Sequence, residues 1–182
     1  SLFNAGGILF MIIGIFFSKS LANTFGKRNI YILFVFLSAL TLLLFNFYNP
    51  SAIKIVFITQ LVHGFFYGIT IPLLWTMIAD VADYSEWKNN RRATAVIFSA
   101  MIFGIKVGIS IGGALGAAFL SKYGYIADAI NQVPTAIEGI KLSVSIYPGL
   151  IFIISAVLLF FYLIDKKMEI QIERDLNERR KN

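Results

Sequence analysis

Apolar residues fall into five long stretches, covering about residues 1–18, 29–49, 54–79, 94–121 and 144–164, with short polar or basic turns between them. A helix needs about 20 apolar residues to cross the roughly 30 Å hydrocarbon core of a bilayer. Lipid leaves backbone N–H and C=O groups no partner outside the chain, so runs of this length predict helices. The pattern therefore reads as an all-α, polytopic membrane protein with five transmembrane helices. Asn49-Pro50, inside the polar turn 46–51, is the expected breaker between the second and third spans. The interval 122–145 is the longest loop; Pro134 is placed to open a short helix there, with Ala136, Ile137, Ile140 and Val144 on its apolar side. Beyond residue 164 the chain turns polar. In the tail 165–182, Met168, Ile172 and Leu176 recur every four residues, and Asp175–Arg179 and Arg174–Glu178 are oppositely charged i,i+4 pairs. The tail reads as an amphipathic helix on the cytoplasmic membrane face, or as a solvated stop-transfer tail.

Composition agrees with the pattern. Hydrophobic residues make up 58% of the 182 and charged ones 14%, well under the quarter or so usual in soluble domains. A net charge of +6 does not point to nucleic acid, because the basic residues flank the apolar runs instead of massing on a soluble face. Lys19, Lys27, Arg28, Lys88, Arg91, Arg92 and six more in the tail lie on one side, against Lys54, Lys122 and Lys141 on the other. That bias sets the first group in the cytoplasm and the N-terminal end outside. There is no cysteine and a single histidine, His63, so thiol chemistry and a histidine or thiolate metal site are not expected. The first run has no basic flank of the kind that opens a cleavable signal peptide. An odd number of spans, and a chain that opens on serine, suggest part of a longer protein.

The candidate chemistry gathers between Trp75 and Gly116. Asp80, Asp83, Tyr84 and Trp87 share one face if the third helix continues through them. Acids at a helix C-terminus oppose the macrodipole, and Lys88, Arg91 and Arg92 are close enough to offset them. In the fourth span Gly104, Gly108, Gly112 and Gly116 form a small-residue seam of the GxxxG type, suited to close helix packing. Lys106 points nearly away from that seam, and Ser99, Phe103 and Ser110 follow its side. It lies thirteen residues past Ala93, roughly 20 Å along a helix. A charge so deep costs about 2.5–3.5 kcal/mol on insertion scales and by default marks a functional position. Its bland reading, an ion pair with a carboxylate of another helix, finds no acid at that depth in the five spans. On the third helix Gln60, His63, Tyr67 and Thr70 recur at spacings of three and four and are candidates to line the same cavity; a His63 bonded to a neighbouring helix is an equal reading. Trp75 is either an interface aromatic or a stacking platform for substrate.

The string IADVADYSEWKNNRRATAVIFSAMIFGIKVG, followed by GGALGAAFLSKYGY, AIEGIKLSVSIYPGL and FYLIDKKMEIQIERDLNERRKN, resembles the glycoside–pentoside–hexuronide:cation symporters, the melibiose-carrier-like branch of the major facilitator superfamily. LANTFGKRN is similar to a cytoplasmic loop motif of the same superfamily. The resemblance implies that the five spans are helices eight to twelve of a twelve-helix carrier, with the N-terminal half as the missing partner. It implies a sugar substrate, Na+ or H+ as the coupling cation, no other cofactor, and a bacterial cell membrane. By position Lys106 matches a helix-eleven lysine that couples cation and sugar binding. Asp80, Asp83 and Arg92 match charges of a cytoplasmic gate, and Glu86 and Arg91 are candidate members of it. The family's cation ligands lie mainly in the first half, so no metal site is expected here. Two other classes compete with this reading. A membrane scaffold packing through the glycine seam leaves Lys106 unexplained, and an intramembrane enzyme would need a nucleophile–base pair or metal cluster that the sequence does not offer.

Overall fold

The computed structural model describes residues 2–49, 52–129 and 131–181. Pro50 of the expected Asn49-Pro50 breaker lies outside them. The helices are α1 (Leu2–Phe25), α2 (Lys27–Phe45), α3 (Ile53–Asn89), α4 (Thr94–Lys122), α5 (Pro134–Val144), α6 (Ile146–Leu158) and α7 (Lys166–Arg179), with a 3-10 turn, Leu159–Phe161, closing α6. Among the described residues five segments are long and apolar enough to cross a membrane: α1, α2, α3, α4 and the run Pro134–Phe161. The chain is an all-α polytopic membrane protein.

Where helix boundaries depart from the hydropathy pattern, the cause is local. The expected turn after residue 18 is mostly helix, because nothing in SKSLANTF breaks one, and the break shrinks to Gly26 at φ 86°. Only glycine takes that conformation without strain, and Lys166 packs over it. Helix α3 runs 37 residues with Pro72 inside it, about 55 Å at 1.5 Å per residue and well beyond a bilayer core. It therefore carries the acidic ladder out of the membrane in one piece and stops at Asn90, which takes the left-handed conformation at φ 53°. Pro134 does open a helix, but α5 is not a separate surface element: only Ser145 stands between it and α6. At 13 residues, α6 reaches about 20 Å, so the last crossing draws on α5. The final span also ends earlier than residue 164, with the chain extended at Tyr162.

Packing centres on α3. Against α1 the contact is backbone to backbone: a methyl group on Gly64 would strike the carbonyl of Gly7, on Gly68 that of Met11, and on Gly14 that of Phe65. Ile69 and Leu73 of α3 pack with Ala22 and Ile30 in the core beside this seam. On its other side α3 meets α2, and α2 meets α6, where a side chain on Gly149 would run into Leu43. Helix α4 stands apart. None of its described residues is buried; it touches α3 through Phe98 on Trp75 and the α5–α6 segment through Phe119 on Tyr147.

Candidate functional site

The acidic ladder sits on the part of α3 that projects past the core, and the structure surrounds it with bases from three places in the sequence. Lys27, the first residue of α2, donates to both oxygens of Asp80 at 2.7 and 2.8 Å and also contacts Glu169 of α7 at 2.8 Å. Arg92, just before α4, pairs with Asp83 at 2.9 Å and reaches Glu86 at 3.5 Å. Arg180 at the end of α7 contacts Glu86 at 3.2 Å. Among the described residues no ion pair involves Arg91; its carbonyl accepts from Ser85 Oγ at 2.9 Å. Lys27, Asp80, Asp83, Glu169 and Glu173 line a polar pocket of about 210 Å³.

Helix α7 holds this cluster together. Asp165 caps its start by accepting from the backbone N–H of Met168 at 2.8 Å, which satisfies one orphan donor of the first turn. The stripe Met168, Ile172 and Leu176 faces inward, with Ile172 and Leu176 only 3% and 4% exposed among Val81, Tyr84, Trp87 and Tyr162. The tail is helical as its spacing predicts, and the apolar side of α7 packs on the end of α3. Its charges turn there too. Asp175 accepts from Trp87 Nε1 at 2.9 Å, and Arg179 donates to the Trp87 carbonyl and to Asn90 Oδ1. The bond from Tyr162 Oη to the Met77 carbonyl, at 3.1 Å, fastens the approach to α7 as well.

The other candidates lie deeper in the spans. Lys106 is exposed on α4, and among the described residues it has neither an ion pair nor a hydrogen bond. Ser99, Phe103 and Ser110 beside it are exposed as well. A Cβ built on Gly104, Gly108, Gly112 or Gly116 meets nothing within 4 Å. Among the described residues that seam therefore packs against no backbone, and the tightest glycine-to-backbone contacts are those of α1 with α3. Gln60, His63, Tyr67 and Thr70 each have neighbours of their own. Gln60 lies against Gly7 of α1. His63 Nδ1 is 2.9 Å from Thr41 Oγ1 of α2, and its ring neighbours Tyr67 and Phe152. Thr41 Oγ1 donates to the Ser38 carbonyl at 2.7 Å, which leaves the histidine as donor in their shared bond. Thr70 is buried and bonds the Tyr67 carbonyl of its own helix. Trp75 stacks on Phe98 at 6.4 Å between centroids.

Sequence reasoning found Asp80, Asp83, Glu86 and Arg92 but not their partners Lys27, Glu169 and Arg180. The available signals were the basic pair at Lys27-Arg28 and the charge-rich tail. Gly64 and Gly68, four apart, also offered a packing motif, though a shorter one than the four in register on α4.

Five membrane-length helices among the described residues, with a cluster of paired charges past one end of the bundle, describe a multi-pass membrane protein. A family model described as MFS/sugar transport protein matches residues 1–166, and the chain belongs to that family. It is 30% identical over 170 residues to the uncharacterized symporter YjmB of Bacillus subtilis, covering 92% of this chain and 36% of that protein. It is 30% identical over 152 residues to the glucuronide carrier protein homolog of Escherichia coli, covering 82% and 33%. The uncharacterized 29.9 kDa protein in the crtE 3'region of Pseudescherichia vulneris is 30% identical over 161 residues, covering 88% and 59%. The chain thus spans between a third and three-fifths of the length of these relatives. They are named as carriers or symporters in two cases and none is named as an enzyme.

Proposed function

We propose that this chain works as the C-terminal half of a secondary carrier that symports a sugar with Na+ or H+ by alternating access. The observation that carries the reading is the pairing of two unlike charged sites on one bundle. At one end, Asp80, Asp83, Glu86 and Arg92 stand in a half-buried ionic cluster whose contacts can break and re-form. In mid-span, Lys106 presents a charge unpaired among the described residues, on a helix none of whose described residues is buried. Secondary transporters bind near the membrane midplane between two bundles and rock one against the other. In this reading Lys106 couples the cation and sugar sites, completed by residues of the N-terminal half, and the ionic cluster latches the cytoplasmic side. The names of two relatives, a glucuronide carrier homolog and a putative glycoside/cation symporter, support sugar as the substrate class. The positive-residue bias supports a cytoplasmic C-terminus. The scaffold alternative has the open glycine seam in its favour but gives no role to Lys106.

The test is Lys106→Ala in the intact carrier that contains this segment. Cation stimulation of sugar uptake should fall by roughly 5- to 150-fold, the range of an ordinary coupling free energy, while the protein still reaches the membrane. Unchanged cation-driven uptake would remove Lys106 from the mechanism.

A further inference from the structure

Helices α2 and α6 touch closely where Gly149 meets Leu43 and Ala39, then separate toward the Lys27 end of α2. The separation leaves an apolar groove of about 440 Å³, lined by Asn29, Leu33 and Phe36 on one side and Ile153, Val157 and Phe160 on the other. Four of these six, Leu33, Phe36, Val157 and Phe160, are exposed large hydrophobic residues. From Asn29 to Phe36 the groove follows α2 for about 10 Å. Its polar end is built differently. Arg28 NH2 donates to the carbonyl of Phe160 at 2.7 Å, one of the orphan carbonyls at the end of α6 and its 3-10 turn. Arg28 Nε is buried with no hydrogen-bond partner. That nitrogen is closed off by the protein itself, so what the guanidinium can still offer an acceptor beside Phe160 is its outer edge. The neighbouring Lys27 is not available for it, being held by Asp80 and Glu169.

From this juxtaposition we infer that the α2–α6 groove is a binding site for an anionic phospholipid, with an acyl chain along Leu33, Phe36 and Val157 and the phosphate at Arg28. The charge argues for lipid over a protein helix. A packing helix would bring apolar side chains to both ends of the groove, whereas an anionic amphiphile supplies hydrocarbon along it and an acceptor at its end. Arginine suits the phosphate because its guanidinium is always charged and carries N–H donors beyond the one held by Phe160. Basic pockets between membrane helices at the headgroup level are a known form of lipid recognition.

Native mass spectrometry of the full chain in detergent, titrated with phosphatidylglycerol, tests this site, with phosphatidylcholine of the same acyl chains as the comparison lipid. Arg28→Gln should lower phosphatidylglycerol occupancy roughly fivefold, the effect of one basic contact at a lipid surface. Val157→Trp, which fills the groove without touching Arg28, should lower occupancy of both lipids. Lys122→Gln, on the rim of a different groove, should change neither. If Arg28→Gln does not yield folded protein, the reading rests on Val157→Trp alone. Equal binding of the two lipids by the unaltered chain, or phosphatidylglycerol binding indifferent to Val157→Trp, would overturn the inference. So would a photoreactive group at Leu33 of the intact carrier in native membranes that links to protein instead of lipid.

Discussion

Asp80 belongs at the centre of any account of single residues. Its carboxylate is 15% exposed and shares the Lys27 ammonium with Glu169, so one cation holds two acids. Replacing Asp80 with Asn keeps the shape but leaves Lys27 with a single charged partner. Hydrogen bonds to charged groups contribute about 1.5–3 kcal/mol in buried settings, and partial exposure screens this pair, so a loss of roughly 1–2 kcal/mol is expected. The measurement is the detergent or thermal midpoint of the chain, and Lys27→Met should lose more, because it leaves Asp80 and Glu169 without their shared cation. A double variant that loses no more than Lys27→Met alone would identify the Lys27–Asp80 pair as one interaction. The sequence displayed the acids plainly because they lie at helical spacing. It could not display Lys27 opposite them, since 53 residues separate the two and nothing local records a contact across that distance.

At the level of elements, the same limit explains the tail. The four-residue spacing of Met168, Ile172 and Leu176 made an amphipathic helix legible, and the helix is there. What its apolar stripe faces was not legible, because a membrane surface and the end of α3 make the same demand on the sequence. Leu176 is 4% exposed against α3, and truncating a buried leucine to alanine costs about 2–5 kcal/mol. Leu176→Ala should therefore release α7, seen as faster hydrogen exchange over residues 166–179 in neutral detergent. A tail bound only to lipid would already exchange fast there in the unaltered chain. The glycines tell the reverse story. Four in register on α4 were conspicuous, yet the contacts form through Gly7, Gly14, Gly64 and Gly68, spread over two helices distant in sequence.

For the molecule as a whole, the spans were legible because hydropathy is a local and additive signal, and lipid forces the helix. The arrangement was not, and α4 is the clearest example. A helix without a single buried described residue presents both its lysine side and its glycine side. If the rest of a carrier covers the seam, the difference is measurable. The chain has no cysteine, so a thiol introduced as Gly108→Cys is the only one this segment would carry. It should react readily with a maleimide in the chain as given and at least about tenfold more slowly in the intact carrier, in line with the loss of access on burial. Equal rates would leave the seam facing lipid in both.

Helix α3 has a mechanical consequence that its contacts alone do not express. It runs 37 residues, about 55 Å, with Pro72 near its middle, and moved as one body through a tilt of about 10° about that point it would carry each end through roughly 5 Å. Thr59 near one end and Asp83 near the other are therefore not independent places. A step of that size exceeds the reach of any ion pair described above, and it arises from an angle too small to disturb the side chains near the fulcrum. In such a lever the glycine contacts with α1 lie close to the pivot, where motion is least, and the charges lie at the tip, where it is greatest.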